Sequence, residues 1–198
     1  MRTEVVSTRN QPEAGTKRGA EILRRGGLVA FPTETVYGLG ANGLDQSAVL
    51  KIFEAKGRPA DNPLILHVSK KNDLHRIWRR MPKHAQQLMD AFWPGPLTLI
   101  GLKSDLVPDV VTAGLDTVAV RMPLDKTARM LIGKSERPIA APSANVSGKP
   151  SPTTAAHVLA DLDGKIELIL AEGVPVNDMG LAYMNRLLRA AGFRFIDA

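Results

Sequence analysis

The sequence predicts an α/β fold: a twisted mixed β-sheet with helices packed on it and a basic cleft able to take an anionic ligand. Three observations carry that expectation. Short apolar runs of strand length alternate with stretches of helical period. The two kinds of segment intermingle without a regular β–α repeat, which points to a mixed sheet. No linker, internal repeat or low-complexity segment divides the 198 residues, so one domain, 1–198, is expected.

Composition narrows the class. Hydrophobic residues make up 44% and charged residues 23%, the balance of a soluble globular chain rather than a disordered or fibrous one. No apolar run approaches the roughly 20 residues that span a bilayer, and the N-terminus lacks a signal-peptide core, so a cytoplasmic protein without a membrane partner is expected. The absence of cysteine excludes a disulfide framework, a thiolate nucleophile and a zinc finger. His67, His75, His84 and His157 show no short metal-ligand spacing, and no protein-held metal is expected. A net charge of +6 fits a polyanionic ligand or RNA. Much of it gathers at Lys70, Lys71, Arg76, Arg79, Arg80 and Lys83, against the single acid Asp73. That segment reads either as a solvated surface or as an RNA-facing patch.

In chain order, a polar start precedes a helix over Glu13 to Arg25, with Ile22 and Leu23 inward and Gly26-Gly27 as its stop. Leu28 to Phe31 is a buried strand. Pro32 ends it, and the segment from Pro32 to Gly40 is a loop after a strand end, a place where α/β proteins put ligand-binding groups. Asp45 or Ser47 caps a helix carrying Val49, Ile52 and Phe53 on one face. Leu64 to Val68 is a second strand, Ala85 to Phe92 a helix stopped at Trp93-Pro94, and Leu97 to Leu102 a third strand. Thr117 to Pro123 alternates as a strand that puts Arg121 on one face with Thr117 and Ala119. Asp125 to Ile132 is a short helix and Pro138 to Ala141 a strand. Thr153 or Thr154 caps a helix through Leu162, and Ile166 to Leu170 is a strand. Leu181 to Ala190 reads as a helix stopped at Gly192, with a final apolar stretch from Phe193 to Ile196.

Lys56 is the residue that calls for a ligand. It falls on the same helix face as Ile52 and Phe53, where an unpaired ammonium is costly, so something anionic should meet it. The bland alternative is a lysine that passes the helix end or pairs with an internal acid. Arg58 follows one residue beyond Gly57, and Ser143-Ala144-Asn145 follows a later strand end; together they make a candidate site for an anion such as a nucleotide phosphate. Two phosphate motifs fail. Gly38-Leu39-Gly40-Ala41-Asn42-Gly43 fits the dinucleotide pattern but starts too far from Phe31, and Gly133-Lys134-Ser135 lacks its upstream glycine because Ala128 stands there.

The ordered motifs resemble one family. Phe31-Pro32-Thr33-Glu34-Thr35-Val36-Tyr37-Gly38-Leu39, Lys56-Gly57-Arg58-Pro59, Asn62-Pro63-Leu64, Trp93-Pro94-Gly95-Pro96-Leu97-Thr98, Val120-Arg121-Met122-Pro123 and Pro142-Ser143-Ala144-Asn145-Val146-Ser147-Gly148 are similar to the YrdC-like threonylcarbamoyl-AMP synthases, from about Arg24 to Leu170. The resemblance implies a nucleotidyltransferase that forms L-threonylcarbamoyladenylate and pyrophosphate from L-threonine, bicarbonate and ATP. A transfer machinery then carries the group to tRNA. It implies Lys56 and Arg58 as catalytic cations; Lys56, Arg58, Arg121, Ser143 and Asn145 at the nucleotide; and Thr33, Tyr37, His67, Thr117 and Arg121 around threonine and bicarbonate. Each also has a structural reading: Thr33 or Ser143 as a cap, Tyr37 as packing, His67 as a satisfied strand histidine, Arg121 as an exposed arginine. Mg2+ is implied as a companion of ATP, held more by the triphosphate than by protein.

The stretch after Leu170 departs from the family's pattern. Ala171 to Met179 lacks the Ser-Thr pair that members carry there, and no Arg-Pro-Gly follows. Two other readings therefore stand beside the synthase: a non-catalytic RNA- or nucleotide-binding relative, and a carbamoyl-adenylate-forming relative like the YrdC-like domain of hydrogenase maturation proteins.

Overall fold

Strands β1 (Glu4–Ser7), β2 (Val29–Phe31), β3 (Gly38–Asn42), β4 (Ile65–His67), β5 (Thr98–Leu102), β6 (Thr117–Arg121), β7 (Ile139–Ala140) and β8 (Leu168–Ala171) form one sheet in the order β1-β8-β2-β3-β7-β4-β6-β5. This is a computed structural model, and it describes residues 2–9 and 12–172. Pairing is parallel for β1–β8, β8–β2 and β4–β6 and antiparallel for β2–β3, β3–β7, β7–β4 and β6–β5, the mixed sheet the sequence predicts.

Seven α-helices pack around it among the described residues: α1 (Pro12–Arg24), α2 (Gln46–Lys56), α3 (Leu74–Ile77), α4 (Ala85–Phe92), α5 (Asp109–Thr112), α6 (Lys126–Ser135) and α7 (Ala155–Leu162). Their starts follow local chemistry. The Asp45 carboxylate accepts the Ser47 and Ala48 amides at the start of α2, Asp125 that of Ala128 at α6, and Thr154 that of His157 at α7. Gly57 ends α2 at φ 63°, a left-handed conformation that costs glycine nothing.

Side-chain alternation along the strands divides the core in two. On one face Leu23 of α1 and Leu131 of α6 pack on Val29, Phe31, Ile139, Leu168 and Leu170. On the other, Val49, Ile52 and Phe53 of α2 and Val158 and Leu162 of α7 meet Leu39, Leu66, Val118, Val120 and Ile169. The α1–α6 layer takes in no residue of β4, β5 or β6. On that face the register aligns Ile65 with Ala119 and Ile100, and His67 with Arg121 and Thr98. Ile100 there is 64% exposed, so this half of the sheet is an open floor.

Several expectations need correction. Gly38 to Gly40 is not loop but part of β3, a strand whose sequence Gly-Leu-Gly-Ala-Asn has almost no intrinsic strand preference. Packing requires glycine at Gly40, and at Gly43 just beyond the strand. A Cβ on Gly40 would stand 2.8 Å from both Ile139 Cγ2 and Phe31 Cε1, and one on Gly43 would stand 2.4 Å from Leu66 Cδ2. This is why the glycine pattern there is no phosphate turn. The polar start contains β1, and the short helices α3 and α5 carry too little period to be read. The expected helix over 181–190 and the final stretch lie outside the described residues.

Candidate active site

Where the open floor meets the ends of β2, β4, β6 and β7 lies a cavity of about 310 Å³. Thr33, Thr35 and Val36 to Gly38 form one wall, Pro63 to Ile65 and His67 a second, and Arg121 and Ala141 to Ser143 the rest. The wall from Thr33 to Tyr37 is held rigidly despite having no regular structure. The Thr33 hydroxyl donates to the Val36 carbonyl at 2.6 Å and accepts the Thr35 and Val36 amides, so it serves its own turn as well as facing the cavity. Tyr37 N–H donates to the Pro152 carbonyl, and the Tyr37 carbonyl accepts from Ala144 N–H, both at 2.9 Å.

Lys56 ends α2 on its buried face, 2% exposed. Its ammonium donates to the main-chain carbonyls of Ser143 and Asn145, both at 2.5 Å. The partner that spacing alone expects to be anionic is thus a pair of carbonyl dipoles, and neither a passing stem nor a direct ion pair to an acid describes this lysine. Dipoles do not cancel a full charge. Burial first, then the neighbouring Arg58 cation, push the Lys56 pKa down to about 8, with Asp161 opposing. Arg58 lies over the Phe53 ring at 5.3 Å and donates to the Asn62 carbonyl at 3.2 Å. The Asn145 amide donates to the Val146 and Lys149 carbonyls, and its Oδ1 is buried without a partner among the described residues.

Arg121 is not the exposed arginine that one reading allows. Its side chain is 11% exposed, and its Nη2 donates to Glu34 Oε1 at 2.7 Å and to the Thr35 hydroxyl at 3.3 Å. His67 is 4% exposed and packs edge-on against Phe31. Burial, and then the Arg121 charge, lower its pKa to about 3, so it shapes the wall as a neutral ring. Tyr37 is fully buried, and its hydroxyl accepts the Glu172 amide at 3.2 Å, so it supports the wall largely from behind.

The structure therefore brings Thr33, Tyr37, His67, Arg121 and Ser143 to one cavity, and the Ser143 carbonyl joins that cavity to Lys56, with Asn145 and Arg58 beside it. Thr117 is not brought in. It starts β6 on the same open face as Arg121, but four residues of strand separate them by about 13 Å. It lines a different hollow, with Arg80, Met81 and Lys83. The basic segment likewise forms no single face. Lys71 pairs with Asp90 and Arg79 with Asp105, while Lys70 and Arg76 border another cavity together with Asp73, Glu136 and Arg137. Sequence reasoning misses Glu34 and Thr35 as partners of Arg121. The available signal is that Glu34 is the sole acid between two apolar strands, where a carboxylate needs a cation.

The family model Sua5_yciO_yrdC, described as "Telomere recombination", matches residues 21–179. The threonylcarbamoyl-AMP synthase of Pyrococcus abyssi (strain GE5 / Orsay) is 58% identical over 172 residues, 86% of this chain and 51% of that protein. The threonylcarbamoyl-AMP synthase of Bacillus subtilis (strain 168) is 54% identical over 172 residues, 86% of this chain and 49% of that protein. The crystal structure of P. abyssi Sua5 complexed with L-threonine superposes with a TM-score of 0.83 at 56% identity, covering 88% of this chain and 51% of that one. The chain thus spans about half the length of these relatives.

Proposed function

The chain belongs to the Sua5–YciO–YrdC family, and on that premise we propose that it is a threonylcarbamoyl-AMP synthase, a nucleotidyltransferase supplying the threonylcarbamoyladenosine modification of tRNA. One observation carries the reading. At Ser143 a small cavity adjoins the buried ammonium of Lys56, whose direct hydrogen-bond partners among the described residues are two carbonyl oxygens and no carboxylate.

In the proposed reaction the amine of L-threonine adds to bicarbonate with loss of water, giving a carbamate. A carbamate oxygen attacks the α-phosphorus of ATP, and the bond from that phosphorus to the pyrophosphate oxygen breaks. Two anions have to approach. At about 4 Å and an effective dielectric near 20, each pair of unit charges repels by about 4 kcal/mol. Lys56 and Arg58, beside the cavity and outside its lining, offset that repulsion. Arg121 offers its uncommitted Nη1 hydrogens to the threonine carboxylate as charge-assisted donors. In this reading Thr33 and the neutral His67, which line the cavity, take the amino acid and bicarbonate, and Ser143, also in the lining, takes the nucleotide with Asn145 beside it. Magnesium enters as part of the ATP substrate; among the described residues no three acids or histidines converge on a metal position.

No helix among the described residues is long and apolar enough to cross a membrane. The test is pyrophosphate release from ATP that requires both L-threonine and bicarbonate. Release indifferent to threonine would contradict the proposal. Substituting carbamoyl phosphate for threonine and bicarbonate separates it from a carbamoyl-adenylate-forming activity.

A further inference from the structure

We infer that Glu34 is a positioning residue: it holds the Arg121 guanidinium in one orientation, so that the uncommitted Nη1 of that arginine is left for a ligand in the substrate cavity. The inference rests on the proposed synthase function. It goes beyond it by assigning a task to a residue that does not itself line the cavity.

Three observations carry it. First, Glu34 is buried and Arg121 largely so, with side chains 5% and 11% exposed, and their contact is a direct 2.7 Å ion pair between residues 87 apart in sequence. Replacing a buried ion pair with apolar side chains of similar volume is often neutral or stabilising, so stability alone gives no reason for this one. Second, only one partner of the pair reaches the cavity. Arg121 lines it and Glu34 does not, so any effect of Glu34 on a ligand passes through Arg121. Third, the pairing is one-sided. Nη2 carries two hydrogens, committed to Glu34 Oε1 and the Thr35 hydroxyl. Nη1 has no hydrogen bond among the described residues, and Nε is buried without a partner. Glu34 thus pins the Nη2 corner of the guanidinium and leaves Nη1 uncommitted and accessible.

The consequence concerns orientation rather than charge. Paired with Glu34, Arg121 adds no net charge to the site, and the net positive potential comes from Lys56 and Arg58. What Arg121 supplies is a planar donor group at a fixed angle, and fixing that angle before the ligand arrives removes a cost of binding.

The side chain of Glu34→Gln reaches Arg121 without the charge, that of Glu34→Asp keeps the charge one methylene short, and Glu34→Ala loses both. In full-length protein the expected order of KM for L-threonine is wild type, then Gln within about threefold, then Asp, then Ala raised about tenfold or more, with kcat less affected. In an Arg121→Ala background the Glu34 substitutions should add nothing further. Two results would overturn the inference: Asp near wild type while Gln matches Ala, which makes charge the agent, or multiplicative effects of Glu34→Ala and Arg121→Ala, which makes the two residues independent. A second readout stands apart from the activity. In protein labelled with 15N-arginine, the Arg121 guanidinium signals, assigned by their loss in Arg121→Ala, should be those of a fixed group in the wild type and Glu34→Gln and rotationally averaged in Glu34→Ala. Averaged signals in the wild type would refute the positioning role even if threonine-dependent turnover is found. Fixed signals without threonine-dependent turnover would instead count against the synthase reading. Thermal unfolding of each variant checks that it is folded; if Ala fails, Gln against Asp still decides.

Discussion

The ammonium of Lys56 and the main-chain carbonyl of Asn145 lie 2.5 Å apart, joining positions separated by 89 residues of chain. With the Ser143 carbonyl at the same distance, this contact ties the end of α2 to the segment that leaves β7. It leaves a buried positive charge that no carboxylate directly pairs.

That charge should be visible in the pH profile. Burial and Arg58 lower the Lys56 pKa to about 8, so the group starts to lose its proton well before an ordinary lysine does. The expected result is an alkaline fall in kcat/KM with an apparent pKa near 8, the value belonging to the free enzyme. The stability effect has the opposite sign. Between about pH 8 and the ordinary value of 10.5 the unfolded chain holds a proton that the folded one releases, so this lysine's contribution to stability rises with pH across that window. A pH titration of steady-state rates, with urea unfolding at the same pH values, checks both.

Lys56 and Arg58 should separate when each is replaced by alanine. Either change is expected to lower the rate by about 100-fold or more, the scale for losing one preorganised donor. Lys56→Ala also strands two carbonyls, at about 1–3 kcal/mol for a buried unsatisfied group, partly offset by removal of the buried charge. Arg58→Ala forfeits mainly its stacking on Phe53, about 0.5–1 kcal/mol. Thermal melts beside rate assays show whether activity falls alike while stability falls unequally.

Asp125 offers a stabilising change. Burial, and then the charges of Glu172 and Glu34, raise its pKa, so holding it ionised in the folded state costs free energy. Asn retains the oxygen that accepts the Ala128 amide and can donate to the Glu172 carboxylate. Asp125→Asn should raise stability by about 1 kcal/mol, a shift of about 2–4 °C in Tm for a chain of this size. The folded-state pKa lies above the ordinary 3.8, so the gain should be largest at neutral and alkaline pH and vanish below about pH 4. Melting curves at pH 4 and pH 8 test the sign.

Gly43 should tolerate no side chain. An added Cβ would stand 2.4 Å from Leu66 Cδ2, 3.0 Å from the Pro138 carbonyl oxygen and 3.1 Å from the Ala140 nitrogen, two of them main-chain atoms that cannot give way. Gly43→Ala is expected to cost about 2 kcal/mol, read as a lower urea midpoint at unchanged slope.

Much of this molecule is legible in its residues, for physical reasons that differ from place to place. Asp45, Gly57 and the Ile52–Phe53 stripe carry α2 in full, because caps and helical period are local signals. They also carry the burial of Lys56, since that residue repeats the stripe by one turn. The loop-like reading of Gly38 to Gly40 fails because β3 is specified by what its neighbours exclude, the Phe31 ring and the Ile139 side chain, and not by its own propensity. The Glu34–Arg121 pair is invisible to spacing because only the sheet order brings the β2–β3 connection over β6. Thr117 shows the reverse error. Sharing a strand face with Arg121 is a true local inference, but face alone does not fix position along the strand, and the cavity lies at the other end.

The proposed synthase activity is tested most directly by pyrophosphate release from the purified chain with ATP, L-threonine and bicarbonate, each omitted in turn. The expected result is release that collapses when threonine or bicarbonate is withheld and that falls about 100-fold in Lys56→Ala. Release unaffected by threonine, or undiminished in folded Lys56→Ala, would contradict it.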